Sequence, residues 1–122
     1  MGNWTFTASA AAIARAGAGA NSAITASSAT LNYWSSGAEA VINARTDYDW
    51  VTNYSTVGAN FKGILAEIEE CMVAKQIIVA DTSGYNSKTE AQTMIVVYDS
   101  MIESNIATLK STNVRAIAGA LS

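Results

Sequence analysis

The residues best equipped for chemistry lie in two places. Glu67, Glu69, Glu70 and Cys71 fall within five consecutive positions, and Asp47 and Asp49 flank Tyr48 in "TDYDW". A thiol acts as a nucleophile when a base stands beside it, and only Glu67 and Glu70 are near Cys71 in sequence. Carboxylates raise a thiol's pKa, which opposes that use. Cys71 also falls on an apolar helical stripe, so it reads as a small buried hydrophobe. Paired carboxylates serve glycoside hydrolysis and two-metal sites. Successive helical positions point in different directions, however, so the three glutamates read as a solvated face, or as an acidic ring in an oligomer. Asp47 and Asp49 lack the glycine and later ligands of a calcium loop and read as helix caps. "GAGAN" (17–21) is glycine-rich, but no strand precedes it and no Lys-Ser/Thr follows, as a phosphate loop would require. The chain has no histidine and one cysteine. A disulfide framework and the usual zinc sites are therefore not expected within it. No catalytic, cofactor-binding or metal-ligating residue is assigned, and an enzyme is the least expected reading.

The aromatic group Tyr33, Trp34, Tyr48, Trp50 and Tyr54 is the other concentration of chemistry. Such rings build ligand cages and stacking platforms for single strands. Stacking on nucleic acid calls for basic companions, whereas Lys62, Lys75, Lys88 and Lys110 are dispersed and the net charge is −3. Core or subunit interface is the reading that remains, and the sequence does not divide the rings between the two. Asn3-Trp4-Thr5 and Asn53-Tyr54-Ser55 fit the glycosylation pattern, with nothing to indicate secretion.

These residues must be positioned by helices. The chain of 122 residues is half hydrophobic, 14% charged and free of proline, a composition that favours one domain of uninterrupted helices. No stretch reaches 18 consecutive apolar residues, so no membrane span is expected. Residues 7–16 predict a short helix capped by Thr7 or Ser9 and ended by Gly17-Ala18-Gly19. Residues 17–26 predict a loop. Leu31, Trp34, Ala38, Val41 and Ile42 form a stripe at helical spacing, with Ser35, Glu39 and Asn43 off it. The stripe keeps its phase across Gly37, so Gly37 is expected inside a helix that turns near Thr46–Asp47. Close approach of another backbone would explain a glycine there. Residues 46–54 predict a short helix or tight turn capped by Thr46 or Asp47, with Trp50 as its anchor. Residues 56–80 predict a central helix, since Val57, Phe61, Ile64, Leu65, Ile68, Cys71 and Met72 make a stripe that Val73, Ile77, Ile78 and Val79 broaden. "DTSGYNS" (81–87) is a break, with Ser87 and Glu90 at capping-box spacing. A last long helix follows over about 88–109, carrying Ala91, Met94, Ile95, Tyr98, Met101, Ile102 and Leu109. Residues 111–122 are weakly amphipathic through Val114, Ile117 and Leu121 and too short to form a stable isolated helix.

The expected fold is thus all-α: a small helical bundle with three main helices, short extra helices and a C-terminal tail. Residues 1–110 would form the domain and 111–122 the tail. The order of "ARAGAGANSAITASSATLNYWSSGAEAVINARTDYDWVTNYSTV" and "DTSGYNSKTEAQTMI" resembles the tailed-phage head-to-tail connector adaptors. The resemblance covers about residues 7–109. It lies in a short N-terminal helix, a polar loop with a Ser or Thr cap, a helix with an "AEAxI" segment, a short aromatic region, a long apolar helix, an "SGY" break and a final helix. It implies a virion structural protein without catalysis, assembled in the host cytoplasm. Such adaptors form a homo-oligomeric ring, commonly twelvefold, between the portal protein and a stopper or tail protein. DNA passes through the ring without specific binding, and the acidic chain suits that passage. On this reading Val73, Ile77, Val96 and Val97 would pack between subunits, and the tail would dock on the portal through Val114, Ile117 and Leu121. Two other readings stand beside it. One is a cytosolic helical binding or regulatory module that dimerises through the 56–80 helix. The other is a secreted helical-hairpin protein, a family marked by a Trp-x-Gly turn, which Trp34-Ser35-Ser36-Gly37 would supply with one residue too many.

Overall fold

The computed structural model describes residues 3–85 and 87–111. The fold is all-α, as the periodicity predicts. Helix α1 covers Ser9–Ala16, α2 Ser22–Thr25, α3 Ser28–Thr46, α4 Ala59–Ala80 and α5 Lys88–Lys110, with one 3₁₀ turn at Tyr54–Thr56.

The helix ends follow local chemistry, with several departures from expectation. Helix α1 starts at Ser9 behind Ala8, which offers no side-chain cap. Thr7 is engaged elsewhere, its hydroxyl donating to Glu70 Oε2 at 2.6 Å. The helix ends at Gly17, whose φ of +86° suits a residue without Cβ. The expected 17–26 loop contains the single turn α2, because the Asn21 side-chain Oδ1 accepts the Ala23 and Ile24 N–H groups. Ser27 caps α3 by accepting from Thr30 N–H, and Ser87 caps α5 by accepting from Glu90 N–H at 3.0 Å. Helix α3 runs unbroken through Gly37 and ends where expected, with Asp47 in the left-handed conformation. Asp49 organises the segment that follows, its carboxylate accepting Thr52 N–H at 3.0 Å and Thr52 Oγ1–H at 2.6 Å.

Helix α4 is central, with α1, α3 and α5 packed around it. Glu67 meets Asn105 and Lys75 meets Asp99, so α4 and α5 are antiparallel. Ile42 shares a buried cluster with Leu65 and Ile68, and Leu31 shares another with Val73 and Ile77, so α3 also runs against α4. Helices α3 and α5 are therefore parallel to each other, side by side over α4.

The inner face of α3 differs from the expected stripe. Leu31, Ala38 and Ile42 are buried, but so are Ser35, Glu39 and Thr46, while Val41 is 44% exposed. The face is rotated because the arm 3–8 crosses α3 and supplies polar partners for the residues that hydropathy alone would turn outward. Trp4 Nε1–H donates to Asn32 Oδ1, and Trp4 N–H to Ser35 Oγ, both at 2.7 Å. These two bonds hold Trp4 at φ +54°, a left-handed conformation uncommon for a bulky residue. Phe6 then plugs the core against Tyr54, ring centroids 5.5 Å apart.

Candidate functional site

Parallel helices α3 and α5 do not close over α4 along their whole length. They leave a groove of about 760 Å³. Tyr33, Trp34, Gly37 and Val41 line it from α3, Met72, Gln76 and Val79 from α4, and Ile102 from α5. The groove is mostly apolar with a charged rim. Arg45 makes a two-pronged ion pair with Glu103, both N–O distances 2.7 Å, which bridges α3 to α5. Lys75 Nζ lies 2.6 Å from Asp99 Oδ1. The Arg45 guanidinium holds the Glu103 carboxyl below its ordinary range, chiefly through these hydrogen bonds. Solvent screens exposed pairs of this kind, so they add little to stability and their main effect is to shape the rim. Tyr33 and Val79 stand 77% and 55% exposed.

Gly37 belongs to this site, and the expected explanation for it is wrong. A Cβ built there would meet nothing within 4 Å, so no neighbouring backbone demands a glycine. Its missing side chain instead leaves the groove wall open. The aromatic group separates into distinct roles. Tyr33 and Trp34 line the groove. Trp50 is fully buried, its indole N–H donating to Thr46 Oγ1 at 2.9 Å, and Tyr48 packs edge-on against it. Tyr54 lies under Lys62 and against Phe6.

A second polar constellation lies beneath the N-terminal arm. Glu69, expected on a solvated face, is fully buried, as is Glu39. Glu39 accepts from Thr5 N–H at 2.6 Å and Thr5 Oγ1–H at 2.9 Å. Glu69 Oε2 accepts from Ser35 Oγ–H at 2.9 Å, while Glu69 Oε1 is buried without a hydrogen-bond partner of its own. Burial first, then the neighbouring Glu39, push the Glu69 carboxyl up to about 9. The other two glutamates are tied down as well. Glu70 accepts from Arg15 Nε–H at 2.7 Å and Glu67 from Asn105 at 2.6 Å. Cys71 is fully buried, and burial above all raises its thiol to about 11. Among the described residues no group of three or more acidic, Cys or His side chains is placed to hold a metal ion.

The four residues expected between subunits do not stay together. Val73 and Ile77 are fully buried in the chain's own core, because the broad apolar surface of α4 is consumed by α1 and α3. They are removed from the subunit surface. Val96 and Val97 remain outside, 66% and 48% exposed on α5. Val114, Ile117 and Leu121 lie outside the described residues. Sequence reasoning missed the groove, since it depends on how far apart α3 and α5 stand. Its one legible trace was a glycine inside a helical stripe. It also missed the acid pair, for which Ser35 and Glu39 one turn apart gave the only hint. No protein-family model matches this chain, and neither does any curated protein or solved structure.

Proposed function

We propose that this chain is a virion structural protein, an adaptor subunit whose ring joins the portal to a stopper or tail protein and lines the DNA exit channel. One observation carries the reading. The chain keeps two apolar surfaces that its own described residues do not fill: the groove at Tyr33, Val41 and Val79, and the outer ridge of α5 at Val96 and Val97. Exposed apolar patches mark interaction sites. A subunit with two different such surfaces makes heterologous contacts, which close into rings when the rotation allows. The net charge of −3 suits a channel through which DNA slides without sticking. Residues 112–122 supply a further segment for engaging a partner.

The other two readings lose ground on specific residues. A dimer through the 56–80 helix needs a free apolar face, but α4 buries Leu65, Ile68, Val73, Ala74, Ile77 and Ile78 within the chain. The hairpin family needs a turn at Ser35–Gly37, where α3 is continuous. Native mass measurement, alone and with a portal protein, tests the proposal. A ring on the portal is expected; a stable dimer indifferent to portal overturns it.

A further inference from the structure

We infer that the groove between α3 and α5 is the seat for residues 112–122 of a second copy of this chain, so that copies join head to tail. This names a partner for the tail within the assembly reading above. The groove wall from Tyr33 to Arg45 spans about 18 Å at 1.5 Å per residue. Residues 112–122, if helical, span about 16 Å, and Val114, Ile117 and Leu121 recur at i, i+3 and i+7, the anchor spacing of a helix laid in an apolar groove. Such a segment is too short to hold a helix alone, and binding would supply the missing packing. Gly37 keeps the wall free of a side chain that would obstruct it.

The donor is a neighbouring copy because of where α5 leads. Helix α5 continues from Glu103 to Lys110, about 10 Å past the Arg45–Glu103 bridge and away from the groove. To return, the chain from Lys110 to Val114 would have to reverse direction and cross sideways to the groove, and those four steps reach at most about 14 Å. Val114 would arrive only at the bridge, leaving the exposed end at Tyr33 and Val79 uncovered. A tail from another copy meets no such limit and enters at that end.

The test uses two full-length variants, one on each side of the contact. Val41→Arg alters the groove at a residue already 44% exposed, and Ile117→Asp alters the tail. Circular dichroism checks that both stay helical. In sedimentation across a concentration series, the unmodified chain is expected to pass beyond dimer, and each variant alone to stay monomeric. An equimolar mixture is expected to stop at a dimer, which retains one intact tail and one intact groove. Assembly that survives either substitution overturns the inference, as does a monomer at every concentration. Ring formation on a portal that ignores both substitutions would sink the tail-in-groove contact while leaving the adaptor reading standing, whereas a portal-indifferent dimer would sink that reading itself.

Discussion

Glu69 shows how one residue ties the sequence to a measurable behaviour. Its carboxyl is held up near 9, against an ordinary value of 4.5, by burial and by Glu39. Between those two values the folded chain keeps a proton that the unfolded chain has released. Stability from this group is therefore complete below about pH 4.5 and declines as pH rises towards 9, by at most about 1.4 kcal/mol per pH unit for one proton. Asp81 acts in the opposite sense. Hydrogen bonds from Ser83 and Asn21 lower it to about 2, so its contribution is lost on acidification below its ordinary 3.8. Urea denaturation from pH 5 to 9 should show stability falling with pH, and Glu69→Gln should flatten the fall. A variant with an unchanged slope would refute the proton retained on Glu69. Cys71 gives a second prediction at this scale. A fully buried thiol raised to about 11 should resist alkylation at pH 8 in the folded chain and react only on unfolding. Rapid native labelling would contradict the packing described.

At the scale of elements, Gly37 sits inside α3 with open space where its Cβ would be. A mid-helix glycine costs roughly 1 kcal/mol relative to alanine, so Gly37→Ala should stabilise the chain by about that amount in thermal unfolding. Gly37→Leu should leave folding intact and fill the groove, abolishing assembly. Loss of stability in Gly37→Ala would show that the wall is tighter than described. This helix also shows what was legible in sequence. Its continuity and its end near Thr46–Asp47 follow from periodicity, because Leu31, Ala38 and Ile42 keep phase across the glycine. Its inward rotation does not follow. Ser35 and Glu39 are polar, and burying them is favourable only because Trp4, Thr5 and Glu69 meet them from distant parts of the chain. Nothing within α3 announces those partners. Val73 and Ile77 were misplaced for the converse reason: an all-round apolar helix announces burial, but sequence does not say whether its cover comes from the same chain.

At the scale of the whole molecule, the short arm 3–8 is a structural strap, although it contains no regular element. It bonds to α3 through Trp4 and Thr5 and to α4 through Thr7, and it drives Phe6 into the cluster that holds Ile42, Trp50, Leu65 and Ile106. The bundle would otherwise expose a buried acid pair and one end of its core to water. Small domains have only about 5–15 kcal/mol of net stability, so a strap that closes both should be decisive. Phe6→Ala should cost about 3–5 kcal/mol, the range for removing a buried ring. Thr5→Val, which keeps the arm's backbone but removes the hydroxyl donor to Glu39, should cost about 1–3 kcal/mol, as expected when a buried acceptor loses its donor. Because both substitutions loosen the same strap, their combined effect should fall short of the sum. Urea denaturation of the two single variants and the double variant measures this directly. Strict additivity, or a cost below 1 kcal/mol for Phe6→Ala, would mean that the arm rests on the bundle without holding it together.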